Sequence, residues 1–278
     1  MTAITQDTLR VGIVGTGRLG RMLLRAAAQN AQEMLLYAAG RNRGQLAAMQ
    51  RAIPSLTVAE IDSVACAAEL LILCVPPDAY GALLRQCSGC LLESSIVVSV
   101  TNGVPLEAIG DLVPNPVVKV IPTMAHTVGR GIALVTPGPR AESSHIDVVR
   151  RFFGSFSKPI LIEDRDSRVA SNVAGSWLAL LAAMCAIFVR SNETRAFALS
   201  RGALEEMMSE SIGAVSDLLA SGFSYDDIVQ GTATPGGTTE AALQILQERF
   251  PMLATAMVEE TFRRQAVMHG AAGGDPEC

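Results

Sequence analysis

Lysine and histidine are scarce in this sequence. The 278 residues include 22 Lys and Arg, of which only Lys119 and Lys158 are lysines, and there are three histidines. Arginine stays protonated near neutral pH, so few side chains are available as a general base. The formal net charge is -5, and the basic residues form no cluster that could follow a phosphate backbone. We therefore expect no nucleic-acid partner.

Cysteines are few as well. The six cysteines are scattered among apolar stretches, and the N-terminus carries no export signal. This pattern favours a reducing cytoplasm over a disulfide framework. Cys87 and Cys90 form a single C-x-x-C, a spacing typical of a redox pair or of half a zinc site. Because the second pair of ligands is missing, and no redox context surrounds these cysteines, we predict no metal.

One long segment, Val169 to Val189, has no charged residue, and its length suits a membrane span. It begins with polar and small residues, however, and its strictly apolar part, Trp177 to Val189, is too short to cross a bilayer. We therefore expect a helix buried between protein surfaces, and no membrane partner.

The chain divides into two parts with different patterns. Residues 1–165 alternate short β-branched runs with helical patterns, which predicts the doubly wound parallel α/β sheet of a Rossmann domain. The predicted strands are Arg10 to Val14, Met34 to Ala38, Leu70 to Val75, Ile96 to Val100, Val117 to Ile121, Ile132 to Val135 and Pro159 to Ile162. Residues 166–278 carry no strand signal and should be all helical. Because nearly all-round apolar helices need a cover, we expect this part to form a homodimer interface.

A glycine-rich turn follows the first predicted strand. It reads Gly15-Thr16-Gly17-Arg18-Leu19-Gly20, and a helix should begin near Arg18. In a dinucleotide-binding turn the first glycine permits the tight turn, the second lets the pyrophosphate approach, and the third lets helix and strand pack. An ordinary strand-to-helix turn that binds no ligand can have the same glycine spacing. The place of this turn at the start of an alternating α/β pattern favours the cofactor site.

The end of the second predicted strand distinguishes the two nicotinamide dinucleotides. NAD-binding sites usually carry an acid there, which binds the ribose 2′-hydroxyl. This sequence has Arg41-Asn42-Arg43 instead. Two guanidinium groups can bind the 2′-phosphate of NADP in forked geometry, so we predict NADP as the cofactor. Solvated loop charges are the alternative interpretation of Arg41 and Arg43.

Two further strand ends should lie beside the cofactor, because ligands of such sheets bind at the carboxyl edge. Val75 and Pro76 end the strand that begins at Leu70, and we expect them near the nicotinamide. Asn102 follows the next strand. It either forms a hydrogen bond near the nicotinamide or belongs to a tight turn.

Two segments resemble signature regions of the pyrroline-5-carboxylate reductase family. They are Lys119-Val120-Ile121-Pro122-Thr123-Met124-Ala125-His126-Thr127, followed by Gly131, and Thr234-Pro235-Gly236-Gly237-Thr238-Thr239. The resemblance covers essentially the whole chain, and the second segment is its most specific part. It implies a Rossmann domain followed by a helical dimerisation domain. The implied activity is hydride transfer from NAD(P)H to a cyclic imine, which makes proline.

The resemblance also implies roles for the second segment. In the family, this loop of the partner subunit holds the substrate carboxylate with backbone N–H groups. The corresponding residues here are Thr234, Gly236, Gly237 and Thr238, and the hydroxyl of Thr239 would lie near the imine nitrogen as a catalytic group. A glycine pair that opens a helix also presents unpaired N–H groups and a positive dipole end to an anion. A plain turn with a threonine cap is the alternative.

Two positions depart from the family pattern. His126 stands where the family usually has asparagine, and Trp177 stands where it has proline. Because Trp177 would reshape the site, the substrate need not be pyrroline-5-carboxylate itself, and we expect either that compound or a related imine or amino acid. His126 is a candidate catalytic proton donor, and a structural histidine bonded to backbone is its alternative role.

Two other functions stay open on the sequence alone. A β-hydroxyacid dehydrogenase has a similar architecture but depends on a lysine near the start of the interdomain helix, and no lysine follows Lys158. A non-catalytic nucleotide-binding homologue, with an accessory or regulatory role, is compatible with the altered motifs.

Overall fold

The computed structural model describes residues 8–30 and 33–272. These residues form two compact units. The first unit runs as far as Gly175 and also includes the chain from Phe262 onward, and the second unit is Ser176–Thr261.

The first unit is built on an eight-stranded sheet, which confirms the predicted α/β Rossmann class. The strands are β1 (Leu9–Val14), β2 (Met34–Ala39), β3 (Thr57–Val58), β4 (Leu70–Leu73), β5 (Ile96–Ser99), β6 (Val117–Ile121), β7 (Ile132–Pro137) and β8 (Lys158–Leu161). Their order in the sheet is β3-β2-β1-β4-β5-β6-β7-β8.

The sheet differs from the sequence prediction in two places. Strand β3 was not predicted, because its two residues are too few to show a period. The sheet is parallel as predicted except at one junction, where β7 pairs antiparallel with β6. The connection from Pro122 to Gly131 is too short for the helical crossover that a parallel pair requires.

Helices cover the sheet and form the whole of the second unit, which confirms the prediction of an all-helical part within the described residues. The helices around the sheet are α1 (Arg18–Asn30), α2 (Arg43–Ala52), α3 (Ile61–Ala67), α4 (Tyr80–Cys87), α5 (Leu106–Gly110), α6 (Ser143–Gly154) and α7 (Ser167–Ser171). Short 3-10 turns lie at Pro77–Ala79, Met124–Val128 and Asp164–Asp166, and a π-helical turn lies at Asn172–Ser176. The later helices are α8 (Trp177–Glu193), α9 (Arg201–Ala220), α10 (Tyr225–Thr232) and α11 (Thr238–Ala272).

The hydrophobic core lies on both faces of the sheet, as strand β4 shows. All four of its residues are buried. Leu70 and Ile72 belong to one hydrophobic cluster, and Leu71 and Leu73 belong to the other. Because successive side chains of a strand point to opposite faces, an all-apolar strand needs helices on both sides. This burial fixes the strand ends that carry the candidate site.

The helical run Asp164–Glu193 is long and apolar enough to cross a membrane by length and composition. Only 6% of its most apolar window is buried within the chain. The prediction that this helix is buried is therefore not met inside a single copy of the chain. Large apolar side chains such as Ile187 and Phe188 are exposed on α8.

Candidate functional site

The strand order places a topological switch point between β1 and β4. The chain moves from β1 outward through β2 and β3, and then returns to the other side of β1 to form β4. Helix connections leave a crevice at the carboxyl ends of two such strands, and ligands of doubly wound sheets bind there. The Cys74 N–H donates to the carbonyl of Val14 across 2.7 Å, and the Gly15 N–H donates to Ala39 across 2.9 Å. These bonds hold the end of β1 between its two neighbours.

The three glycines of the turn after β1 are needed for different physical reasons. Gly15 has a φ of +100°, and a Cβ there would lie 2.4 Å from the Cys74 carbonyl oxygen. A Cβ on Gly20 would lie 1.9 Å from the Gly15 carbonyl oxygen. A Cβ on Gly17 would meet nothing within 4 Å, and Gly17 is exposed. The turn therefore leaves open space in front of the α1 N-terminus, whose unpaired N–H groups and dipole favour a phosphate.

Two matched alanine substitutions separate packing from ligand binding in this turn. Gly20→Ala forces a methyl group against the Gly15 carbonyl, and overpacking of this kind costs about 1–3 kcal/mol. We expect both the melting temperature and the dinucleotide affinity to fall. Gly17→Ala has room in the chain but narrows the phosphate space, so affinity should fall with an unchanged melting temperature. Thermal unfolding and dinucleotide titration measure the two effects, and undiminished affinity in Gly17→Ala would argue against phosphate binding here.

The other residues of the turn fit the same arrangement. Thr16 is buried, Leu19 is half-buried, and Arg18 is exposed at the start of α1. A Cβ on Gly40, at the end of β2, would lie 2.9 Å from the Thr16 hydroxyl oxygen. The loop that contains Arg41 therefore begins directly beside the glycine turn.

The structure assigns different environments to the three residues Arg41, Asn42 and Arg43. The Asn42 side chain caps α2 by accepting a hydrogen bond from the Gln45 N–H at 3.0 Å. Arg43 forms an ion pair with Glu60, with 2.5 Å between Nη2 and Oε1. Arg41 is exposed and makes no hydrogen bond or ion pair within residues 8–30 and 33–272. Of the two guanidiniums, Arg41 is the one available to an incoming phosphate.

The end of β4 lies against the glycine turn. The Cγ1 atom of Val75 is 3.1 Å from the position of a Cβ on Gly15, and Pro76 is exposed just beyond. The Tyr80 hydroxyl donates to the Leu73 carbonyl at 3.0 Å and lies 3.2 Å from the Ser99 hydroxyl. These contacts hold the end of β4 next to the end of β5. Burial raises the pKa of the Cys74 thiol to about 12, so Cys74 is no nucleophile at neutral pH.

The side chain of Asn102 joins the loop after β5 to α7. Its Nδ2 donates to the Ser171 hydroxyl at 3.0 Å, and its Oδ1 accepts from the Ser167 hydroxyl at 2.9 Å. The Thr101 hydroxyl accepts a hydrogen bond from the Gly103 N–H at 3.0 Å, which is the geometry of a tight turn. These contacts give Asn102 a positioning role at the carboxyl edge, and they use both ends of its amide.

His126 lies in the 3-10 turn Met124–Val128, and its side chain is fully buried. Its ring packs edge-on against Phe156 with 5.7 Å between centroids. Burial lowers the pKa of His126, so the imidazole is neutral at neutral pH. A proton transfer from His126 to a bound molecule would require this turn to open, because the side chain has no exposed surface in this conformation.

The loop between α10 and α11, residues Thr234 to Thr239, forms a tight turn. The Gly236 φ is +73°, and a Cβ on Gly237 would lie 2.8 Å from the Thr234 carbonyl oxygen. Thr238 and Thr239 are exposed in the first turn of α11, and their N–H groups have no partner in the described part of the chain. This helix start can therefore donate hydrogen bonds to a ligand.

The glycine N–H groups of this loop are already paired, which differs from the sequence prediction. The Gly237 N–H donates to the Thr234 carbonyl at 2.8 Å, and the Gly236 N–H donates to the Glu240 carboxylate at 2.7 Å. Glu240 is a residue that the sequence reasoning missed. The signal was an acid in the first turn of α11, two residues after Thr238, where a carboxylate can accept from the unpaired N–H groups at a helix start.

Two protein-family models match the chain. Residues 10–103 match the family described as "NADP oxidoreductase coenzyme F420-dependent". Residues 164–268 match the family described as "Pyrroline-5-carboxylate reductase dimerisation". The first match contains the glycine turn and Arg41, and the second contains the Thr234–Thr239 loop.

Two curated relatives of this chain are named pyrroline-5-carboxylate reductases. Pyrroline-5-carboxylate reductase 3 of Bacillus subtilis (strain 168) is 22% identical over 267 residues, which cover 95% of this chain and 98% of the relative. Pyrroline-5-carboxylate reductase of Corynebacterium melassecola is 25% identical over 247 residues, which cover 86% of this chain and 90% of the relative.

A solved structure shares the fold. It is the Plasmodium falciparum pyrroline carboxylate reductase with NADP bound, and it superposes with a TM-score of 0.83 at 19% identity, over 95% of this chain and 99% of that one. The fold is therefore shared along nearly the full length of both chains.

Proposed function

We propose that this chain is a member of the pyrroline-5-carboxylate reductase family, an NADP-dependent oxidoreductase that reduces the C=N bond of a small cyclic imine. One observation carries the proposal. A single chain contains both a glycine turn at the β1/β4 switch point and, within the match to the dimerisation family, a helix start whose first N–H groups have no partner among the described residues.

The residues at the switch point fit NADP. Gly15, Gly17 and Gly20 leave room for the pyrophosphate at the α1 N-terminus. Arg41 would hold the 2′-phosphate, and the end of β2 carries no acid that would repel it. When bound, NADPH supplies the hydride. Val75 and Pro76 would line the nicotinamide side, and Asn102 would hold the neighbouring loop on α7.

The protein itself has little acid-base chemistry to perform. A protonated imine is already electrophilic, so the reaction depends on orientation of the reacting carbon and exclusion of water. Thr234, Gly236, Gly237 and Thr238 would contact the polar part of the substrate. The Thr239 hydroxyl would form a hydrogen bond to the imine nitrogen and orient it.

We further propose that two copies of the chain form a homodimer in the cytoplasm. The match to the dimerisation family covers residues 164–268. Within that range Leu178, Ile187 and Phe188 are exposed on α8, and a second copy would bury such apolar surface.

Turnover of NADPH with small cyclic imines tests the proposed function. We expect loss of NADPH absorbance with at least one imine from a panel that includes pyrroline-5-carboxylate and 1-pyrroline. Thr239→Val should lower kcat about a hundred-fold, the loss typical of one missing hydrogen-bond donor at a reacting group.

The control is Thr255→Val, which changes an exposed threonine further along α11 and should leave kcat unchanged. NADPH binding without turnover of any imine would argue for an accessory protein. Reversible reduction of a ketone would instead support a hydroxyacid dehydrogenase.

A further inference from the structure

Three cysteines come together where helices α3 and α4 end. Cys66 lies in the last turn of α3, Cys87 is the last residue of α4, and Cys90 lies in the turn that follows. The Cys90 Sγ atom is 3.7 Å from the Asp62 carbonyl oxygen of α3 and 3.3 Å from the Cys87 carbonyl oxygen. The Gln86 side chain donates to the Asp62 carboxylate at 2.7 Å. The end of α4 and the turn after it are therefore attached to α3.

The structure brings Cys90 into contact with a cysteine that is distant in the sequence. The thiols of Cys66 and Cys90 lie within hydrogen-bonding distance of each other. Cys87, the other member of the C-x-x-C, is fully buried in the hydrophobic core, whereas Cys66 is exposed and Cys90 is half-buried. Cys66 and Cys90 therefore combine mutual contact with access from solvent.

This pair lies at the opposite edge of the sheet from the glycine turn. Helix α3 leads into the amino end of β4, and the turn that contains Cys90 leads into the amino end of β5. The glycine turn follows the carboxyl end of β1, and the three strands run parallel. A reaction of these thiols is therefore separate from ligand binding in the dinucleotide crevice.

We propose that Cys66 and Cys90 form a reversible thiol–disulfide site, whose co-reactant is a low-molecular-weight disulfide such as oxidised glutathione. The Cys66 thiolate attacks one glutathione sulfur, the S–S bond of glutathione disulfide breaks, and one glutathione leaves while the other stays bound to Cys66. The Cys90 thiolate then attacks the Cys66 sulfur, and the second glutathione leaves. Two protein thiols are oxidised to a disulfide, one glutathione disulfide is reduced to two thiols, and the two protons pass to the leaving thiolates.

The surroundings of the three thiols set the order of the two steps. Burial raises the pKa of Cys87 to about 12 and that of Cys90 to about 11, and the neighbouring Cys66 and Asp62 also raise the pKa of Cys90. Both thiols are therefore protonated at neutral pH. The incoming disulfide reaches the exposed Cys66 first, and Cys90 is the resolving thiol. Cys87 takes no part, because it is fully buried. Such a site needs no oxidising compartment, since transient disulfides also form among cytosolic thiols.

Incubation of the reduced, purified protein with oxidised glutathione at neutral pH tests the site. After alkylation of the remaining thiols, mass spectrometry of a non-reduced digest should show a peptide pair joined through Cys66 and Cys90. Dithiothreitol should separate this pair again. Cys90→Ser should stop the reaction at a glutathione adduct on Cys66, because the resolving thiol is missing.

The matched control is Cys87→Ala, which breaks the C-x-x-C but should keep the disulfide between Cys66 and Cys90. A disulfide between Cys87 and Cys90 in the wild type would overturn the inference. The same holds if wild-type Cys66 and Cys90 both stay free, or if Cys66 keeps the glutathione adduct as Cys90→Ser is expected to do.

Thermal unfolding gives a second, independent measurement. The disulfide closes the chain from Cys66 to Cys90 into a loop and restricts the unfolded state. We therefore expect the melting temperature of the oxidised protein to lie about 5 °C above that of the reduced protein. Cys66→Ser changes an exposed residue, so it should melt with the reduced wild type and should not respond to oxidised glutathione. An equal rise in Cys66→Ser would contradict the assignment.

Discussion

Arg41→Ala is expected to weaken NADPH binding about a hundred-fold and to change NADH binding by less than about three-fold. Arg41 follows Gly40, which lies beside the glycine turn, and it has no polar partner in residues 8–30 and 33–272, so its guanidinium is free for a forked contact. The 2′-phosphate is the group by which the two dinucleotides differ. Fluorescence titration of the purified protein with each dinucleotide measures both affinities.

Arg43→Ala is the matched control for this prediction. Its guanidinium is already paired with Glu60, so we expect a smaller loss of NADPH affinity than in Arg41→Ala. Arg41→Lys keeps the charge but loses the planar fork, and should lie between the wild type and Arg41→Ala. Equal losses of NADPH and NADH affinity in Arg41→Ala would contradict the assignment of the 2′-phosphate site.

Phe188→Asp is expected to split the proposed homodimer into monomers at micromolar concentration. Phe188 is 62% exposed on α8 in the single chain and lies among other exposed apolar side chains. A symmetric interface contains each substituted residue twice, so it would bury two unpaired carboxylates. We expect the dissociation constant of the dimer to rise about a thousand-fold, equivalent to about 4 kcal/mol.

Light scattering after gel filtration measures the mass of this variant. Phe188→Leu, which stays apolar, should remain dimeric and serves as the control at the same position. A dimeric Phe188→Asp protein would place the interface elsewhere on the chain. Loss of turnover in the monomer would also indicate that each active site needs residues from both copies.

The parts of the fold that the sequence predicted have strong local signals. Strand β4 is a short apolar run that must be covered on both faces, and the glycine turn after β1 has a spacing with a direct steric meaning. The two-residue strand β3 has no such period. The direction of β7 depends on the length of its connection to β6, which the apolar pattern of β7 itself does not contain.

The parts of the candidate site that the sequence missed depend on distant or unusual partners. Arg41 and Arg43 look alike in sequence, and the difference between them comes from Glu60, which is far along the chain. The His126 ring packs against Phe156, which lies in the turn between α6 and β8, about 30 residues further along the chain, so its burial has no signal in the neighbouring sequence. The role of Glu240 could have been predicted, since an acid in the first turn of a helix commonly accepts from its unpaired N–H groups. The glycine pair before Glu240 instead favoured the prediction of an external anion at this helix start.

The reversal at β7 limits which loops can influence the chemistry. β1, β4, β5 and β6 run in one direction and end at the edge that carries the glycine turn, whereas β7 and β8 end at the opposite edge. The segment from Gly138 to Glu142 and the residues just after β8 therefore leave the sheet on the side away from the dinucleotide crevice. We therefore expect that a change in the length of the Gly138–Glu142 connection leaves the glycine turn after β1 in place, whereas the connection after β8 leads to α7, which holds Asn102.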